Sequence, residues 1–153
     1  HDHDVRQPLV CRGGLALTVV GVGHQLAPVV RGVVAGDVAE ADLEQQVVAE
    51  MTEWDDVVLA TGGGVVLRPE NRSALAGRGF VIYLYATVEE QVRRTRRDRR
   101  RPLLQKGDPE QVLRSLMAER DPLYREIADH IIETDACSPR IVAQRLVQEL
   151  TAE

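Results

Sequence analysis

A chain of 153 residues with 44% apolar side chains has the material for one domain around one core, and its five aromatics leave that core to aliphatic side chains. A net charge of −5 argues against a surface that attracts nucleic acid or anionic lipid throughout, and no apolar run reaches the roughly 20 residues that span a bilayer. Cys11 and Cys137 have neither metal-type nor redox-type spacing and read as idle thiols of a reducing cytoplasm.

Residues 1–41 hold six of the twelve glycines and few charges. The opening HDHD reads as a polar terminus rather than a metal cluster. The apolar stretch Leu15–Gly23 follows Asp2 and Asp4, a poor secretory leader, so a soluble cytoplasmic protein is expected. LALTVV within it reads as a buried strand, and Pro28 with the scattered glycines disfavours helix in APVVRGVVAG. A chain that starts at His1 without a Met is expected to be a fragment.

From Asp42 the signals become regular. Asp42 is the expected N-cap of LEQQVVAEMTEW, where Leu43, Val47 and Met51 recur at helical spacing. DVVLA (56–60) does not alternate and reads as a strand buried on both faces. Pro69 opens a short helix, PENRSALAGR, stopped by Gly77 and Gly79. FVIYLYA (80–86) is a second buried strand. Thr87 and Glu90 form the pattern of a capping box at the start of TVEEQVRRTRRD. A basic loop follows, then a helix with Asp108 as N-cap and Pro109 in its first turn. PLYREIAD adds a further helical turn or two, HIIET (130–134) a short strand, and SPRIVAQRLVQEL a closing helix capped by Ser138. Strands alternating with helices in this way imply a parallel α/β sheet with helices on both faces, a three-layer architecture. Ligands in such sheets sit beyond the carboxyl ends of the strands, which is where Thr61–Gly64 falls.

Three stretches carry candidate chemistry. ATGGG is either a packing device between strand and helix or a place where bare backbone N–H groups approach an anion or hydroxyl; the pattern alone leaves both open. Seven of the nine residues from Arg93 to Arg101 are arginine. They suit a solvated helix face running into a loop, a nucleic-acid patch, or a set of guanidiniums that clamp phosphate oxygens. The patch reading lacks interleaved aromatics and sits on an acidic chain. In ERDPLYREIAD, Arg120 stands before a proline expected to start a helix; it could bind a carboxylate bidentately or form a structural ion pair.

VVLATGGGVVL, RRPLL, RDPLYREIAD and ETDACSP stand in the order and approximate spacing of shikimate kinases, and the chain resembles that family from about Leu43 to Glu149. The resemblance implies a P-loop kinase-like fold of the nucleoside-monophosphate-kinase type. It implies a single domain over 1–153, with 1–41 divergent and a lid at about 98–109. It implies transfer of the ATP γ-phosphoryl to the 3-hydroxyl of shikimate with Mg²⁺, on the chorismate route to aromatic amino acids, by a monomer without nucleic-acid or membrane partners. Gly62, Gly63 and Gly64 would line the shikimate site, Gly63 through its N–H, and Arg120 would hold the shikimate carboxylate. Arg101, catalytic and in the lid, would reach phosphates and substrate at closure. Arg94 and Pro139 would flank the adenine, whose border at position 137 is Cys where the family is often polar.

The family's phosphate loop, G-x-x-x-x-G-K-[ST], is absent. The only lysine is Lys106, and GVGHQLAPVV (21–30), with His24 as its one cationic candidate, does not fit the spacing. Ala41 stands where the family carries an arginine, and Asp37 does not align to its substrate-binding acid. Residues 1–41 are therefore expected to derive from a truncated gene, a frameshifted reading or a replaced segment. LALTVV could fill the slot of the phosphate-loop strand beside 56–60; otherwise a sheet edge is exposed. Two functional expectations follow: a kinase homologue with little or no catalysis, or a non-catalytic small-carboxylate-binding protein.

Overall fold

The computed structural model describes residues 16–21, 41–54, 58–96 and 107–152, of which 16–21 and Ala41 are described through their backbone. Strand β1 (Ala16–Gly21) lies between β2 (Val58–Thr61) and β3 (Gly79–Tyr85), and β4 (His130–Glu133) completes a sheet of order β2-β1-β3-β4. Every pairing is parallel: Val20 stands opposite Thr61 on one side and Tyr83 on the other, and Tyr85 opposite Glu133. The valine-rich N-terminal stretch thus supplies an inner strand beside β2. All four carboxyl ends lie along one edge of the sheet.

Alternation along β3 divides the core into two layers. Val81 and Tyr83 face a cluster with Leu59 of β2, Val48 and Met51 of α1 (Ala41–Met51), Leu75 of α2 (Pro69–Arg78), and Tyr124 and Ile127 of α4 (Pro109–Ile127). Ile82 points the other way, to Ile132 of β4 and to Val142 and Leu150 of α5 (Pro139–Thr151). The architecture is therefore α/β with helices on both faces of a small parallel sheet, as a P-loop kinase-like fold requires. Helix α3 (Val88–Thr95) packs against α4.

Local chemistry explains most of the boundaries. The Thr87 hydroxyl accepts from the Glu90 N–H, Asp108 from the Glu110 N–H and Ser138 from the Ile141 N–H, so α3, α4 and α5 are each capped as expected. The capping box is only half made. The Glu90 carboxylate turns to Arg93 and Arg94, and the Thr87 N–H donates to Asp135 instead, at 3.0 Å.

Four other expectations are corrected. Helix α1 starts at Ala41, so Asp42 lies in its first turn and pairs with Arg68 at 2.7 Å rather than capping. Gly77 sits inside α2, and Gly79 alone stops it, donating its N–H to the Leu75 carbonyl. β2 is not buried on both faces: Leu59 is buried in the cluster with α1, α2 and α4, and Ala60, on the opposite face, is exposed. Helix α4 does not restart at Pro122. It runs through the proline for 19 residues, which places Arg120 in mid-helix. The ring removes one backbone hydrogen bond. Tertiary anchors on either side hold the helix nonetheless: Asp121 accepts from Tyr83 at 2.9 Å, and Tyr124 donates to the Gly63 carbonyl.

The inner position of β1 makes a direct prediction for hydrogen exchange. Backbone amides of Leu17–Val20, paired on both sides, are expected to exchange as slowly as those of Val81–Leu84, opening only near the global unfolding free energy. Exchange of 17–20 within seconds beside a protected β3 would contradict this sheet order.

Candidate functional site

The glycine triplet leaves the carboxyl end of β2 in a tight turn closed by the Val65 N–H donating to the Gly62 carbonyl at 3.3 Å. One 3₁₀ turn follows, Val65–Leu67, whose two valines are fully buried. None of the three glycines has the positive φ that would demand glycine; among the described residues Gly107 and Ala136 do. Crowding is what disfavours a side chain at residue 63. A Cβ there would stand 3.1 Å from Arg120 Nη1 and 3.1 Å from the Tyr124 hydroxyl. Around Gly64 the nearest atom to such a Cβ is a Leu67 methyl at 4.0 Å, ordinary contact. Backbone is therefore approached closely, by a guanidinium and a phenol that both come from α4.

Arg120 and Tyr124 are one helical turn apart, so α4 presents both to the same glycine. The Tyr124 ring stacks on Tyr83 with centroids 4.6 Å apart, and burial pushes its hydroxyl pKa up to about 12 against the opposing pull of the Arg120 charge. The phenol is thus a proton donor throughout the biological range. Arg120 Nε is buried and has no partner among the described residues, and the Thr61 hydroxyl is likewise buried and unpaired. Such orphaned donors are expected where a ligand or ordered water completes the site.

Across the turn, Glu44 of α1 lines a shallow cleft with Val47, Thr61, Gly62 and Val65. Burial raises the Glu44 carboxyl above its ordinary value, and Arg68 and Arg120 oppose that rise. Two guanidiniums therefore bear on one carboxylate at the cleft. Arg68 is held in place by Gln45 and Asp42. Thr61 falls where the sequence placed the functional edge, whereas Glu44, Arg68 and Tyr124 are not expected from it. Only Tyr124 left a signal there, its helical spacing from Arg120.

The second group of expected residues lies at the other end of the sheet edge. Arg94 donates through Nε to Glu90 at 2.7 Å, and through its two other nitrogens to the Thr134 hydroxyl and carbonyl at 3.2 and 2.6 Å. Its guanidinium is thereby fixed beside the end of β4. Pro139, exposed, opens α5 five residues beyond Thr134. Between them the turn is tied down by Asp135, which accepts from Thr87 N–H and hydroxyl. Cys137 lies in the same turn, 3.8 Å from Arg145 Nη1. Arg101, the lid residues 98–106, Asp37 and the GVGHQLAPVV segment beyond Gly21 all fall outside the described residues. Of the arginine run, Arg93 and Arg94 are both paired with Glu90.

Glu90 titrates abnormally. Its hydrogen bond from Arg93 lowers the carboxyl to about 2; burial opposes this, and the bond from Arg94 adds to it. The unfolded chain protonates near 4.5, so stability present above that pH falls away progressively between about 4.5 and about 2. Glu90→Gln is expected to flatten this acid limb in urea titrations run from pH 6 to pH 2. A slope unchanged by the substitution would contradict the pairing.

Among the described residues no group of three or more His, Cys, Asp or Glu could hold a metal ion, and no helix is long and apolar enough to cross a membrane.

A family model described as shikimate kinase matches residues 35–151, beginning somewhat before the Leu43 at which the motifs set in. Shikimate kinase of Pseudomonas aeruginosa (strain LESB58) is 53% identical over 117 residues, which is 76% of this chain and 68% of that protein. Shikimate kinase of Chromohalobacter salexigens is 52% identical over 115 residues, 75% of this chain and 64% of that protein. The solved shikimate kinase of Acinetobacter baumannii, in complex with shikimate, superposes with a TM-score of 0.69 at 47% identity over 73% of this chain. The match spans 63% of that chain, less than two thirds of it. Shikimate kinase of Bacteroides thetaiotaomicron, at 24% identity and a TM-score of 0.62 over 74% of this chain and 68% of that one, shares the fold.

Proposed function

The chain belongs to the shikimate kinase family, and from that premise we propose that its site descends from ATP-dependent phosphorylation of the shikimate 3-hydroxyl, with the acceptor half retained and catalysis lost or severely impaired. One observation carries the reading. Arg120 lies against Gly63 at the carboxyl end of β2, with a buried Nε that nothing among the described residues satisfies. A guanidinium with unused donors beside bare backbone is suited to a planar carboxylate, which it can meet with two parallel hydrogen bonds.

In this reading Arg120 binds and orients the shikimate carboxylate. Gly62, Gly63 and Gly64 let the ring approach the backbone, the Gly63 N–H donating to it. The Thr61 hydroxyl and Glu44 are placed for ring hydroxyls. ATP when bound would supply the phosphoryl group. Arg94 and Pro139 would hold its adenine, the former as a flat cation already fixed by Glu90 and Thr134. Arg101 would meet phosphates from the lid. Phosphoryl transfer depends on positioning and charge neutralisation, with little covalent help from the protein. No Lys-Ser or Lys-Thr pair exists anywhere in the chain, so the lysine for the phosphates and the adjoining hydroxyl for Mg²⁺ that the family's phosphate loop supplies are missing from it. A monomeric cytoplasmic protein is the family's expectation.

The second reading is a small-carboxylate-binding protein without catalysis, favoured by the same contrast between a formed acceptor side and a chain whose first lysine is Lys106. Two measurements test what these readings share. Calorimetry with shikimate alone is expected to show binding, weakened at least about tenfold in Arg120→Ala through loss of a charge-assisted pair. No heat at millimolar shikimate would overturn both readings. A coupled ADP-release assay with Mg²⁺-ATP and shikimate is expected to stay far below the roughly 1–100 s⁻¹ usual for kinases, and turnover in that range would overturn the loss of catalysis.

A further inference from the structure

The crowding at Gly63 has a directional consequence. Among the described residues no cis peptide occurs, so each carbonyl of the glycine turn points opposite to the N–H that follows it. The Gly62 carbonyl accepts from the Val65 N–H, which fixes the Gly62–Gly63 peptide. The Gly63 carbonyl accepts from the Tyr124 hydroxyl, which fixes the Gly63–Gly64 peptide. Both carbonyls are tied inward, and neither the Gly63 nor the Gly64 N–H finds an acceptor among the described residues. Two successive backbone donors of this kind form a small anion- or hydroxyl-binding concavity.

We propose that Tyr124 is a positioning residue for the acceptor site: by holding the Gly63 carbonyl it sets the plane of the Gly63–Gly64 peptide and turns the Gly64 N–H away from α4, as a second backbone donor to a ligand oxygen. This deepens the acceptor reading and rests on it for the identity of the ligand. The phenol is well fitted to the task. Its ring is fully buried and stacked on Tyr83, whose own hydroxyl is fixed by Asp121, and Asp121 is held in turn by Arg125 Nε at 2.8 Å. Arg125 also stands over the Tyr85 ring at 5.3 Å. The hydroxyl therefore has little freedom, and the peptide it holds inherits that rigidity. Arg120, on the preceding helical turn, places its guanidinium on the same glycine, so carboxylate and backbone donors are registered by one helix.

Tyr124→Phe keeps the stacked ring and removes the bond to Gly63. It is expected to weaken shikimate binding in calorimetry by roughly three- to tenfold, the net worth of one hydrogen bond. The Gly64 amide resonance of ¹⁵N-labelled protein is expected to move even without ligand. Thr95→Val is the control. It removes one buried hydroxyl, bonded to the Gln91 carbonyl at 2.8 Å in α3 and away from the glycine turn, is expected to lower the melting temperature comparably, and leaves shikimate affinity unchanged. Equal affinity in wild type and Tyr124→Phe, or equal loss in both variants, would overturn the proposal while leaving the acceptor reading intact. If the wild type binds no shikimate, the acceptor reading falls, and an unmoved Gly64 amide in ligand-free Tyr124→Phe overturns the proposal separately. If Tyr124→Phe does not fold, the wild type decides: its Gly64 amide is expected to shift on saturation with shikimate, and a Gly64 resonance unmoved by bound ligand would overturn it.

Discussion

The contact of α4 with the backbone of Gly63 is the constraint on which the candidate site depends. A side chain at residue 63 would stand 3.1 Å from two α4 atoms, so the bare α-carbon is what lets helix and turn meet at this distance. The placement of the contact then follows from the register of α4. Asp108 fixes where the helix starts, and the Asp121–Tyr83 bond fixes its rotation against β3. Three turns after its N-cap the helix delivers Arg120, and one turn later Tyr124, to the same point. A cation for a carboxylate and a restraint on the backbone donors thus share one rigid support, which is the arrangement that binding without reorganisation requires.

Much of this was legible in the sequence wherever a local chemical reason set the structure. Thr87, Asp108 and Ser138 announce their helices because a short side-chain oxygen satisfies an otherwise orphaned N–H, and the structure uses all three. LALTVV announced a strand through its apolar run, and β1 pairs on both sides. The misreadings occur where a tertiary partner overrides the local rule. Pro122 normally ends a helix, but α4 is held on both sides of it. Glu90 fits a capping box, but two arginines on its own helix and an aspartate 48 residues from Thr87 make better partners. The glycine triplet left a packing device and a backbone approach to an anion or hydroxyl both open, and at Gly63 two α4 side chains do come close to the bare backbone. Glu44 joins the cleft through the packing of α1 beside β2, which no local spacing in the sequence encodes.

On the proposed reading the strand order also separates the two halves of the site. β2 and β4 are the outer strands of the described sheet, and at the usual spacing of about 4.8 Å their ends stand roughly 14 Å apart. The glycine turn with Arg120 lies at one end of this edge; Arg94, Thr134 and Pro139 lie at the other. On the reading proposed here the acceptor occupies the first and the adenine the second. A triphosphate joining them has to cross the intervening edge, where β1 and β3 end.

On that reading the crossing is where the missing lysine and hydroxyl would be felt. β3 ends at Tyr85, and Tyr85–Thr87 are committed to Thr134, Asp135 and the cap of α3. β1 ends at Gly21, and the sequence that follows it, VGHQLAPVV, brings neither lysine nor serine nor threonine. Phosphoryl-transfer catalysis rests largely on preorganised donors and positive charge at the phosphates. The two demands on a strand in this position differ in kind: any run of β-branched residues of the right length serves as the hydrophobic inner strand, whereas the proposed loss of catalysis rests on the particular residues missing after it.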